Sequence, residues 1–68
     1  PARESLTIVS EELFNRIEIT NMLGQICYSK EVNGTQIAIS LANFNDGMYL
    51  LKVWNDGQWV VRKFVVKN

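Results

Sequence analysis

The chain has 68 residues, is 47% hydrophobic, and carries seven basic and seven acidic side chains that cancel to zero net charge, with no histidine. That length is expected to form a single domain over residues 1–68, one that buries only about 60% of the surface of its unfolded chain. Balanced charge leaves no basic stripe for nucleic acid. The lack of histidine excludes histidine-based triads and most zinc sites.

No catalytic, cofactor-binding or metal-binding residues are expected. No apolar run is long enough to span a bilayer, and no signal-peptide pattern is present. The first residue is Pro1 rather than Met, as expected of a processed product or an excised fragment. Cys27 is the sole cysteine, so it forms no disulfide within the chain. It is read either as a reactive or intermolecular thiol or, the favoured reading, as a small buried hydrophobe.

Residues 1–5 read as a polar, frayed lead-in. Leu6-Thr7-Ile8-Val9 is short, β-branched and alternating, which predicts a first strand. Ser10-Glu11-Glu12-Leu13 has a helix-capping start that nothing periodic continues, so a loop is expected. Its two carboxylates read as solvated charge rather than a catalytic pair. Residues 15–20 predict a second strand, with Ile17 and Ile19 pointing in and Arg16, Glu18 and Thr20 pointing out.

Asn21-Met22-Leu23-Gly24 predicts a type I turn closed by Gly24 in the left-handed conformation, with Leu23 folding back over the core edge. Residues 25–32 then return as a third strand, placing Cys27 near Ile19. Asn33-Gly34 is a strong turn signal, and residues 35–41 follow as a fourth strand with Ile37, Ile39 and Leu41 on one face. In the loop at residues 42–47, Phe44 is expected to plug one end of the core.

Asp56-Gly57 predicts a two-residue type I′ turn, because both central residues need φ > 0. Counting outward pairs Trp54 with Trp59, Val53 with Val60, Leu51 with Arg62 and Tyr49 with Phe64. Alternation puts Tyr49, Leu51, Val53, Val60, Phe64 and Val66 on a core face. Arg62 is the misfit there, with its stem expected to be buried and its head at an edge. Met48, Leu50, Lys52, Trp54, Trp59, Val61, Lys63 and Val65 form a half-exposed face. The tryptophan pair is read as cross-strand stabilisation in preference to a sugar platform.

Short strands with Gly and Asn turns predict an all-β fold: a small antiparallel immunoglobulin-like β-sandwich of about six to seven short strands. The expected core is Ile8, Ile17, Ile19, Cys27, Ile37, Ile39, Leu41, Tyr49, Leu51, Val53 and Phe64. Gly24, Gly34, Asp56 and Gly57 are the structural turn residues.

Three blocks carry a family resemblance. Residues 17–25 resemble an alternating strand followed by an Asp-x-x-Gly-Lys turn, with Asn21 and Gln25 in place of the commoner Asp and Lys. Residues 39–53 resemble a leucine-plus-loop segment and a Gly-[Ile/Met]-Tyr-hydrophobic block. Residues 61–67 resemble a terminal Lys-hydrophobic-Val-Lys tail. Pro1 resembles the second proline of an upstream Pro-Asn-Pro. In this order the blocks resemble the type A C-terminal sorting domain of the type IX secretion system, found on exported proteins of Bacteroidota.

The resemblance implies a secretion signal. Cargo would cross the inner membrane by a separate signal and fold in the periplasm. The outer-membrane translocon would then recognise the domain, and a sortase would remove it at the cell surface, leaving the cargo attached or secreted. The implied partners are the translocon and sortase components and an upstream cargo domain. Gly47, Lys63, Phe64, Val65, Val66 and Lys67 are the expected recognition residues, because a terminal strand with a free edge is open to strand addition. An open edge also offers a route to a homodimer. The alternative is an immunoglobulin- or fibronectin-like accessory or glycan-binding module of a secreted protein.

Overall fold

The computed structural model describes residues 5–67. They form four strands: β1 (Ser5–Asn21), β2 (Ile26–Ser40), β3 (Gly47–Asn55) and β4 (Gln58–Val66). All neighbours are antiparallel, in one open sheet of order β2-β1-β3-β4. The all-β antiparallel expectation holds. The immunoglobulin-like sandwich of six to seven short strands does not, because the strands expected at 6–9 and 15–20 are one continuous β1, and those expected at 25–32 and 35–41 are one continuous β2.

Two readings fail together for one reason. Residues 10–13 continue β1 instead of looping, and Asn33-Gly34 continues β2 instead of reversing it. Between the pairs Val9–Gln36 and Phe14–Gly34, β1 advances five positions while β2 advances two. The surplus on β1 is a wide bulge, which bends a strand without ending it. The N–H of Glu12 donates to Ser10 Oγ at 3.1 Å, occupying a ladder group within the bulge. Gly34 lies opposite Phe14 within the ladder and is not a turn residue.

The bend folds the outer half of the β1–β2 ribbon inward. Ile8 and Ile39 from that half join Ile17, Ile19, Leu41, Tyr49, Leu51, Val66 and Phe14 in one buried cluster. Ile37, Val53 and Phe64 pack against it part-buried, as does Phe44. Phe14 was not expected in the core. It is fully buried, at the same even-numbered parity as Ile8, and the alternation changes phase between Phe14 and Ile17, where the register shifts again.

Cys27 is a correction in the opposite direction. The register shifts once more between Phe14–Gly34 and Arg16–Glu31 and again from Ile19–Tyr28 to Thr20–Ile26, so Cys27 is the extra residue of this third irregularity, and it is exposed. Tyr28 takes the inward place beside Ile19 instead. Thr20, expected to face outward to solvent, is 2% exposed, and its Oγ1 has no hydrogen-bond partner among the described residues.

Candidate functional site

The C-terminal hairpin has the register counted from the sequence. Asp56 at φ 50° and Gly57 at φ 86° make the two-residue turn. Tyr49 pairs with Phe64, Leu51 with Arg62, Val53 with Val60 and Trp54 with Trp59. β3 docks on β1 through Asn21–Tyr49, Ile19–Leu51 and Ile17–Val53. That docking leaves β4 as an edge strand.

The expected recognition residues divide along β4 by side-chain parity. Phe64 is half-buried and Val66 is 1% exposed, so both hold the strand to the core. Lys63, Val65 and Lys67 are exposed, Val65 to 61%. Gly47 pairs with Val66 at the start of β3 and has φ 151°, a conformation side-chain-bearing residues rarely adopt. Arg62 is exposed and donates to the Val61 carbonyl at 2.9 Å, so its stem is not buried as expected. Val60 is likewise exposed although it belongs to the expected core face.

An aromatic series fixes the loop beside this edge. Tyr49 stacks on Phe64 with centroids 5.8 Å apart, and Phe44 meets Tyr49 edge-on at 5.3 Å. The Tyr49 hydroxyl donates to the Asn45 carbonyl at 2.7 Å. Contacts of this geometry add roughly 0.5–1.5 kcal/mol each beyond the area they bury. Phe44 thus closes one end of the core, as its lone apolar character in a polar loop suggested. Beside it lies an open groove of about 380 Å³, lined by Cys27, Tyr28, Ser40, Asn43, Phe44, Asn45 and Tyr49.

The turn between β1 and β2 has the chemistry read from its sequence. The N–H of Gly24 donates to the Asn21 carbonyl at 3.0 Å, and Gly24 has φ 86°. Asn21 Oδ1 accepts from the N–H groups of Leu23 at 2.9 Å and Gln25 at 3.0 Å, while its Nδ2 donates to Gln25 Oε1 at 2.7 Å. Leu23 does not fold over the core; it is 85% exposed at the tip. Local pattern could not place it, because only the path of neighbouring strands decides whether a turn tip meets the core.

Trp54 and Trp59 pack against one another with centroids 4.9 Å apart at 53°. The contact is the cross-strand pairing read from the sequence. Beside them Arg16 donates to Glu18 at 3.2 Å and to Ser29 Oγ at 2.7 Å, and lies 3.9 Å from Glu31. These part-exposed pairs add little stability. Among the described residues no cluster of acids and cysteines has metal-binding geometry.

Fold and site together define a small all-β module built on one open antiparallel sheet. The model of one family, described as the secretion system C-terminal sorting domain, matches residues 1–67. The chain belongs to that family: it is the type IX secretion signal of a cargo protein, and it is not a catalyst. Membership implies contact with the secretion machinery and a cargo that is secreted or surface-attached. No curated protein and no solved structure matches the chain.

Proposed function

We propose that the secretion machinery reads this domain along β4, by adding a strand to its open edge. The observation that carries this reading is the edge position of β4 in the order β2-β1-β3-β4. An antiparallel edge presents unpaired backbone donors and acceptors that another chain can complete. Phe64 and Val66 anchor the strand from within, Gly47 starts the strand beside it, and Lys63, Val65 and Lys67 give side-chain selectivity. Membership of the type A subgroup, a Bacteroidota source, and removal by a surface sortase after transit through the periplasm complete the proposal. They rest on the resemblance of residues 17–25, 39–53 and 61–67.

The test is an export assay on a cargo fused to the full chain. Lys63→Glu with Val65→Asp changes two exposed side chains, so the domain should stay folded by circular dichroism. Cargo is then expected to accumulate in the periplasm. Normal export of the folded variant would refute the edge reading.

A further inference from the structure

One end of the sheet combines an apolar tip with unpaired lysines. Asn21, Tyr49 and Phe64 form a row across β1, β3 and β4, and Met48 with Val65 forms the next row outward. The turn at residues 22–25 lies beyond Asn21, and Ile26 stands opposite Thr20. Met22, Leu23, Ile26, Met48 and Val65 are all exposed at this end. The turn cannot retract its tip, because Asn21 holds Leu23, Gly24 and Gln25 in place through side-chain and backbone bonds. A polar pair would satisfy that turn equally well, yet it carries Met22-Leu23, and neither belongs to the core cluster.

Charge is distributed unequally about this tip. Lys63 faces Leu50 across the hairpin and Lys67 follows the strand, while Lys52, farther from the tip, lies between Val61 and Glu18. None of these lysines is in an ion pair with a described residue; the pairs are those Arg16 makes with Glu18 and Glu31. Glu12 and Asp56 sit at the far end, beside the β3–β4 turn, where Asn55 Nδ2 donates to Glu12 Oε1 at 3.2 Å. Asp46, in the loop before Gly47, is already engaged.

We propose that this end docks on an anionic lipid surface, with Met22 and Leu23 entering the interface and Lys63 and Lys67 meeting headgroup charge. An interface accepts apolar side chains to a depth of about 5–10 Å, and each nearby lysine strengthens binding to an anionic leaflet by roughly fivefold. A convex tip whose backbone groups are engaged within the turn offers no free edge for strand addition, so it suits a lipid surface better than a peptide. Neither the groove beside Phe44 nor the one beside Asp56 is lined by any of these side chains. This docking shares Lys63 and Lys67 with the proposed β4 recognition surface, but its apolar contact, Met22 and Leu23, comes from the β1–β2 turn and separates the two.

The test is flotation of the 68-residue chain with phosphatidylcholine vesicles containing about one-third phosphatidylglycerol, in about 0.1 M salt. The chain should float with these and not with phosphatidylcholine alone. Met22→Ser with Leu23→Asn, and separately Lys63→Gln with Lys67→Gln, should each weaken binding by roughly tenfold or more while the circular dichroism spectrum is kept. Absence of flotation with the anionic vesicles would overturn the proposal, as would a turn variant that binds like the parent. Capture of polyglutamate without flotation would assign the tip to an acidic protein and overturn it too. Because the turn variant leaves β4 intact, lost vesicle binding with normal export separates this proposal from the translocon reading.

Discussion

Phe14 stands directly opposite Gly34 across the β1–β2 pair, a fully buried ring facing a residue without a side chain. The pair lies just past the point where β1 gains its surplus residues. It joins the two halves of the long ribbon, so the fold of the outer half depends on Phe14 being seated. Burial of Ile8 and Ile39 in the same cluster is the consequence.

Phe14→Ala is therefore expected to cost about 3–5 kcal/mol, and Ile19→Ala about 2–5 kcal/mol. A chain of this size has total stability on the order of 3–10 kcal/mol, so either variant approaches unfolding. Urea denaturation followed by tryptophan fluorescence measures both. A loss under about 1 kcal/mol for Phe14→Ala would mean that the ribbon does not fold onto the sheet.

The glycines at the two strongest turn signals should respond differently. A Cβ at Gly34 meets nothing within 4 Å, and its φ is not positive, so Gly34→Ala should change stability by less than about 0.5 kcal/mol. Gly57 has the same free space but φ 86°, and Gly57→Val should cost more than about 1 kcal/mol. Equal costs at the two positions would contradict the continuous β2.

Asn21→Ala removes both Oδ1 acceptor bonds and the Nδ2 donor bond of the β1–β2 turn. Such bonds contribute about 1 kcal/mol each and are partly replaced by water at an exposed site. The expected cost is about 1–2 kcal/mol. Asn21→Asp, which keeps the acceptor, should recover most of it, and thermal unfolding of the two variants side by side provides the check.

Cys27 lies in a bulge on edge strand β2, with its Sγ 3.7 Å from the Gln25 carbonyl. Its thiol should react with a disulfide reagent such as 5,5′-dithiobis(2-nitrobenzoate) in the native protein, at a rate that denaturant raises only modestly. Reaction that requires unfolding would place Cys27 in the core after all.

The sequence alone determined the features that depend on a few adjacent residues. Asp56-Gly57 sets the hairpin register because both positions must take positive φ, and Asn21 with Gly24 sets the β1–β2 turn for the same kind of reason. The inward isoleucines at 17 and 19 follow from simple alternation. The family resemblance was also legible, because it rests on these same short blocks.

Tertiary structure alone decided how many strands there are and where the bulges fall. Asn33-Gly34 has a turn's local preference, but a chain reverses only if no partner strand continues past it, and β1 does continue, through residues 10–13. Cys27 left its expected core place, and even-numbered Ile8 and Phe14 share the core with odd-numbered Ile17 and Ile19, because register shifts change the two-residue alternation, and a bulge is defined by the partner strand as much as by its own residues. Pairing between distant segments carries the register, and no window of adjacent residues contains it.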